Sequence, residues 1–169
     1  MPRTRSASIV ALLALLALLL GTQAAVVTAD SPKILDFDTM VGTPAAFTGT
    51  QAPIRGVNGG GIPWTLTDAK GKLSAGGHLE VKVTGLVLAA GGNAGSNPSA
   101  TFRGLVSCLD ANANIVNVLT DPFPATTGPA VDGGGNAKIV ADLEIPQPCL
   151  APIVFVTSGG GSWFAVTGL

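Results

Sequence analysis

Two aspartates, Asp36 and Asp38, have the clearest potential for chemistry in this chain. They lie in KILDFDTMV, from Lys33 to Val41, where alternating apolar and polar residues predict a β-strand. Side chains two positions apart on a strand point the same way, so the two carboxylates would lie about 7 Å apart. Such pairs serve glycoside hydrolysis or bind cations. Charges also keep an edge strand soluble, and we favour that interpretation because no third acid is an obvious partner.

A second polar pattern, DANANIVNVLTD, matches part of a calcium-loop template. Its oxygen-bearing residues fall at the first, third, fifth and twelfth positions: Asp110, Asn112, Asn114 and Asp121. The template needs glycine at the sixth position, where this chain has Ile115, and it prefers glutamate at the twelfth. The pattern therefore favours a polar turn after a strand, and these residues are only weak metal candidates.

His78 is the only histidine of the chain, so a zinc or copper site would need carboxylates, cysteine or methionine as further ligands. It begins the alternating segment HLEVKVTG on the polar side, which predicts ordinary exposure. The chain has neither the G-x-S-x-G nucleophile elbow nor the G-x-G-x-x-G phosphate loop. We therefore predict no cofactor and no enzymatic activity.

Two tryptophans, Trp64 and Trp163, each follow a glycine cluster at the start of a predicted strand. Tryptophan is usually largely buried, which favours core packing, but two exposed indoles would form a platform for stacking a glycan. Arg55 lies in IRGVNGGGIPW, which is either a binding loop or a bulged strand crossing between sheets. These three residues are the possible ligand-binding residues.

The first 29 residues have the pattern of a secretory signal peptide. Arg3 and Arg5 precede the apolar run Ile9 to Leu20, and small residues end at Ala29. Retention as an uncleaved anchor is the alternative, because the segment stays apolar up to Ala29. We predict cleavage, transient membrane contact only, and a single domain over residues 30–169 that is secreted, periplasmic or associated with the cell envelope.

Cys108 and Cys149 are the only cysteines of this chain, and an even number in an exported protein favours a disulfide. Cys108 falls on the inner side of a predicted strand together with Phe102 and Val106. A bridge at that position could join two sheets.

The charge of residues 30–169 is −3, from seven Lys and Arg against ten Asp and Glu. The basic residues are scattered along the sequence, so it shows no basic patch and argues against nucleic-acid binding. Charged residues make up 11% of the chain, against about 25% in average soluble domains. This weak charge is typical of a polar extracellular surface, or of a surface that packs against a copy of itself or a polymer.

The periodicity beyond residue 29 is that of strands separated by Gly and Pro, which predicts an all-β fold. Segment Ile62 to Asp68 is predicted as a strand that turns at residues 69–71, and Ile54 to Val57 as another. About nine strands in this length indicate a two-sheet antiparallel sandwich of immunoglobulin-like size, with a closed barrel as the alternative.

Five segments, ILDFDTMVG, IRGVNGGGIPW, DPFPATTG, CLAPIVFVTS and SWFAVTG, together resemble a family of small exported bacterial β-sandwich proteins with no established activity. The resemblance implies a signal peptide and a compact domain, and no functional residue. Our first functional hypothesis is a non-catalytic structural, adhesive or surface-interaction protein that contacts a glycan, a protein or itself. The alternatives are a carbohydrate-binding module and, third, a glycoside hydrolase that uses Asp36 and Asp38.

Overall fold

The computed structural model describes residues 31–168 and shows a chain made almost entirely of β-strands. The predicted signal peptide lies outside these residues. The strands are, in chain order, β1 Lys33–Phe37, β2 Val41–Gly42, β3 Trp64–Thr65, β4 Asp68–Ser74, β5 His78–Thr84, β6 Val87–Leu88, β7 Ser96–Asn97, β8 Thr101–Leu109, β9 Ile115–Leu119, β10 Phe123–Pro124, β11 Gly128–Pro129, β12 Ala137–Asp142, β13 Leu150–Thr157 and β14 Trp163–Val166.

Two three-residue 3-10 helices, Ala45–Phe47 and Ala130–Asp132, interrupt the strands. Within residues 31–168, no helix has the length and apolar character needed to cross a membrane.

The first sheet has the antiparallel order β1-β4-β5-β12. Apolar residues alternate with polar ones along β4, β5 and β12, so one face is buried and the other meets solvent. The buried side chains of this sheet include Leu73, Leu79, Val81, Val83 and Ile139. The predicted inward direction of Leu79, Val81 and Val83 is confirmed.

The second sheet has the antiparallel order β10-β8-β13-β14-β2, and β9 pairs with β8 as well. Short pairs β3-β6 and β7-β11 lie outside the two main sheets. One hydrophobic core contains residues of both sheets, among them Leu79 and Ile139 from the first and Phe102 and Val106 from the second. The predicted all-β sandwich is confirmed, with more strands than the nine expected because several contain only two residues.

The second sheet is also buried on its outer side. A separate apolar cluster forms there from Leu105, Phe155, Trp163 and Val166. Phe47, Ile54 and Val57, from the chain between β2 and β3, pack against it. We call residues 45–58 the covering segment, because it closes the outer face of the second sheet.

The disulfide between Cys108 and Cys149 is present, with a Cα–Cα distance of 5.0 Å. Cys108 belongs to β8, and Cys149 immediately precedes β13, which is the neighbour of β8. The bridge therefore lies within the second sheet, at the point where the chain arrives from β12, and it does not join the two sheets as the sequence had suggested.

Candidate functional site

No segment of residues 31–168 covers the outer face of the first sheet. All five lysines of residues 31–168 lie on strands of this sheet. On β4, β5 and β12 the side chains that alternate with the core residues point to this face and are exposed or half-buried. We call this surface the open face.

Three lysines stand directly opposite one another across three adjacent strands of the open face. Lys70 of β4 pairs in register with Lys82 of β5, and Lys138 of β12 pairs with Lys82 from the other side. We call these residues the lysine row. Like charges at directly opposite positions of an antiparallel pair are unfavourable, so this arrangement opposes folding stability. None of the ion pairs found within residues 31–168 involves the lysine row.

The remaining two lysines of the first sheet are neutralised locally. Nζ of Lys72 lies 3.0 Å from a carboxylate oxygen of Glu80 on the neighbouring strand. Lys33 forms an ion pair with Asp36 three positions further along β1. The lysines of the open face that form no ion pair within residues 31–168 are therefore those of the lysine row.

A shallow concavity of about 710 Å³ lies over this part of the sheet. It is lined by the lysine row and Lys72, by three acids, and by residues of the strands between them: Asp36, Phe37, Asp38, Lys70, Gly71, Lys72, Glu80, Val81, Lys82 and Lys138. Ammonium and carboxylate groups thus line one open surface.

The two aspartates of the candidate catalytic pair both border this concavity. Asp36 lies on β1, whereas Asp38 lies in the bend that follows this strand, so the predicted strand to Val41 ends earlier than expected. Both carboxylates are exposed and have lysines as neighbours. The arrangement therefore brings the two acids to one exposed surface.

His78 is held between two carboxylates on the open face. Its Nδ1 lies 2.7 Å from Oδ1 of Asp142, and its Nε2 lies 3.2 Å from Oε1 of Glu80. The hydrogen bond with Asp142, followed by that with Glu80, raises the pKa of His78 above its ordinary value. Glu80 has its pKa lowered by Lys72 and by His78.

The imidazole of His78 separates the two acids, because they contact opposite nitrogens of the ring and so do not converge on one point. No group of three or more His, Cys, Asp or Glu side chains in the described part of the chain is arranged to hold a metal ion. Sequence analysis predicted only ordinary exposure for His78. It missed this network because Asp142 is 64 positions away and reaches His78 only through the pairing of β12 with β5.

The calcium-loop pattern forms the polar turn between β8 and β9. Oδ1 of Asp110 accepts hydrogen bonds from the backbone N–H groups of Asn112 and Asn114, both at 2.8 Å. The hydrogen bond from the Asn114 side chain to Asp110, followed by these backbone bonds, lowers the pKa of Asp110. Asp121 lies beyond the far end of β9, so this strand separates it from the other three candidates.

Trp64 and Trp163 are both buried, with 6% and 0% of their surfaces exposed. Trp64 stacks on Phe164 with ring centroids 3.8 Å apart and an interplanar angle of 21°. Trp163 contacts Phe47 of the covering segment in an edge-to-face arrangement. This is the core packing that we favoured, and neither indole offers a surface on which a glycan could stack.

Arg55 lies in a tight two-residue turn, not in a strand that crosses between sheets. Ile54 and Val57 exchange both backbone hydrogen bonds, and Arg55 and Gly56 between them have positive φ. Nη1 of Arg55 donates to the carbonyl oxygen of Ser107 at 3.0 Å, and Asn117 donates to the carbonyl of Arg55. Arg55 therefore anchors the covering segment to β8 and β9.

The open face gathers lysines, and acids of the same sheet accompany them: Asp36, Asp38, Asp68, Glu80 and Asp142. Lysines that are scattered in sequence are gathered on the open face by the order of strands in the first sheet. Lys70 was missed for a further reason. Residues 69–71 were predicted as a turn but lie inside β4, where they pair with β5.

The fold and this site define an all-β sandwich with one disulfide, one covered outer face and one open outer face that carries both lysines and acids. Comparison of the chain with known protein families, with curated proteins and with solved structures finds no match in any of the three.

Proposed function

We propose that the protein is exported and acts by contact, through the open face of the first sheet, without turning over a substrate. The observation that carries the proposal is the contrast between the two outer faces. The outer face of the second sheet is closed by the covering segment, whereas the open face bears every lysine of residues 31–168. Partners are then a glycan, a protein surface or a second copy of the chain.

Export is supported by two independent features. The first 29 residues have the charge and apolar pattern of a signal peptide. The Cys108–Cys149 bridge is the kind of bond that persists in oxidising compartments and is rare in the cytosol. The resemblance to small exported bacterial proteins fits the same proposal.

A role without catalysis is supported by the surroundings of the candidate acids. Asp36 is paired with Lys33 and its side chain is 62% exposed, and Asp38 is exposed at the end of β1. A glycosidase needs one carboxyl that stays protonated and one that stays ionised, in distinct environments. These two acids share one solvated surface.

Export is tested by expressing the full chain in a bacterial host and measuring the mass of the protein outside the cytoplasm. We expect a mass that corresponds to a chain beginning at Asp30, and a gain of two hydrogens after reduction. Full-length protein retained in the cytoplasm with free thiols would refute this part of the proposal.

Contact is tested on a glycan array and by sedimentation, with wild type and two surface variants. Lys82→Glu changes the centre of the open face, whereas Val131→Glu changes a side chain that is 93% exposed outside both main sheets. We expect a signal in at least one experiment that Lys82→Glu reduces and Val131→Glu leaves unchanged. Equal loss in both variants, or a signal in neither experiment, would contradict a role for the open face.

A further inference from the structure

The lysine row has a geometry that selects among possible partners. Neighbouring antiparallel strands lie about 4.8 Å apart, so three lysines at directly opposite positions form a line about 10 Å long across the strands. Their Cα atoms stand in single file on a sheet surface and do not surround a common point. This arrangement suits an extended ligand whose charges are also in single file better than it suits one compact anion.

The acids around the lysine row further restrict which ligands fit this surface. Asp38 and Glu80 line the same concavity as the three lysines. Their carboxylate oxygens accept hydrogen bonds, which fits a ligand that carries hydroxyl groups beside its negative charges. They also repel a broad surface of phosphates, and Asp68 adds a further exposed acid on β4.

The open face also lacks the stacking groups of a single-stranded nucleic-acid site. Proteins that bind single strands combine positive charge with aromatic side chains on which bases stack. Both tryptophans are buried, both arginines of residues 31–168 donate to backbone carbonyls, and Phe37 is the only aromatic residue of the described chain that lines the concavity. The open face therefore has positively charged lysines but lacks the aromatic surfaces on which bases would stack.

From these observations we infer that the lysine row binds an acidic polysaccharide, a linear glycan with one carboxylate on successive sugars. The inference rests on the proposed contact function and names its ligand. Successive carboxylates of the glycan contact Lys70, Lys82 and Lys138. The distance between neighbouring strands, which separates these lysines, is close to the length of one sugar ring. Hydroxyl groups of the same sugars donate to Asp38 and Glu80. Repulsion between the three ammonium groups of the lysine row is relieved when the carboxylates of the polymer bind beside them.

The test is titration calorimetry with an oligomer of galacturonic acid and its methyl ester, which has the same sugars without the charge. Lys82→Gln removes the centre of the row, Lys82→Arg keeps its charge, and Lys33→Gln removes the same charge from β1 outside the concavity. An exposed ion pair contributes about 0.2–1 kcal/mol, so Lys82→Gln should weaken binding by a factor of about 1.4 to 5. Lys33→Gln and Lys82→Arg should stay within about twofold of wild type.

Two further results are expected. The triple variant Lys70→Gln, Lys82→Gln, Lys138→Gln should weaken binding by about 3-fold to about 150-fold, since three exposed ion pairs are removed. Raising the salt concentration should weaken wild-type binding with a log–log slope of about 2, as expected when a protein neutralises three charges of a single-stranded polyanion. Denaturant midpoints of all variants show whether a loss of binding comes from unfolding.

Four outcomes would overturn the inference. These are no binding of the uronate at low salt, equal binding of the methyl ester, equal losses in Lys33→Gln and Lys82→Gln, and tighter binding of a single-stranded oligonucleotide with the same charge. If the uronate fails but the array or sedimentation signal still depends on Lys82, the contact function stands and only the ligand class is refuted. If those signals also fail, both proposals fall.

Discussion

The two outer faces of the sandwich differ in what lies over them. The outer face of the second sheet carries Leu105, Phe155, Trp163 and Val166, and the covering segment buries it. The outer face of the first sheet carries the lysine row and an ion-pair network, and no segment of residues 31–168 closes it. One face is therefore a second core, and the other is a surface.

This difference has a physical origin in the strand sequences. Strands β13 and β14 have near-continuous apolar runs, PIVFV and WFAV, which require burial on both sides. Strands β4, β5 and β12 alternate between buried and solvent-facing positions, with Val140 as an apolar residue on the solvent side, and they require burial on one side only. The second sheet is therefore packed on both sides and the first sheet on one, which leaves the open face free to carry charges that do not help the fold.

Truncation of Trp163 gives the largest expected effect on the covered face. Trp163→Ala removes a fully buried indole that contacts Phe47 and Phe155, and loss of a buried Trp costs about 3–5 kcal/mol. Urea unfolding measures this cost. Val140→Ala, at a 38% exposed position of the open face, is the control and should change stability by less than about 0.5 kcal/mol. Similar losses at the two positions would abolish the contrast between the faces.

The packing of the covering segment is tested at Gly59, the residue that directly follows it. This glycine is buried and pairs with Trp163, and a Cβ added there would overlap the carbonyl oxygen of Phe47. We expect Gly59→Ala to cost about 1–3 kcal/mol, the usual range for overpacking.

Gly61, in the same glycine triplet, provides the matched control. A Cβ added at Gly61 meets nothing within 4 Å, so Gly61→Ala should leave the urea midpoint nearly unchanged. A midpoint for Gly59→Ala equal to that of Gly61→Ala would show that the segment does not pack on the second sheet as described.

Much of the fold could be predicted because periodicity reports which side of a strand each residue faces. Leu79, Val81 and Val83 were assigned inward from alternation alone, and the Cys108–Cys149 bridge from cysteine number and predicted export. Both inferences use only local pattern or composition, which the order of strands does not change.

The open face could not be predicted, because it depends on which strands are neighbours. Lys82 and Lys138 are 56 positions apart, and only the pairing of β5 with β12 places them opposite one another. Lys70 was assigned to a turn because Gly71 follows it, whereas β4 continues through that glycine. In the covering segment, Ile54 and Val57 have the apolar pattern of a strand, but Arg55 and Gly56 adopt positive φ and form a turn.

Neutralising the centre of the lysine row should change folding stability less than the substitutions at Trp163 and Gly59, and in the opposite direction. Lys82→Gln removes two like-charge pairs across the strands, each unfavourable by up to about 1 kcal/mol, so this variant should be more stable than wild type by up to about 2 kcal/mol at low salt. The gain should shrink as salt is added, because screening weakens the repulsion.

Lys72→Gln is the matched control on the same face. It removes a lysine that is paired with Glu80 at 3.0 Å, so it should be neutral or slightly less stable than wild type. Denaturant midpoints at two salt concentrations compare the two variants. Destabilisation by Lys82→Gln would show that the row is not a site of repulsion and would remove the cost that motivates a functional role.

The smallest expected effect is a pH dependence of folding stability that comes from His78 on the open face. Its hydrogen bonds with Asp142 and then Glu80 raise its pKa in the folded protein above the ordinary value, and Lys72 is the other charged group in this network. The stabilising contribution is therefore complete below the unfolded-state pKa of about 6.5 and is lost as the pH rises through the folded-state pKa.

The stability difference between wild type and His78→Gln should thus be larger at low than at high pH across this window. It should remain small, because the His78 side chain is 42% exposed and solvent screens its ion pairs. Since His78 is the only histidine of the chain, a tag-free sample gives one imidazole titration by NMR. A midpoint below about 6.5, or one that Asp142→Asn leaves unchanged, would show that the Asp142 contact does not hold the proton.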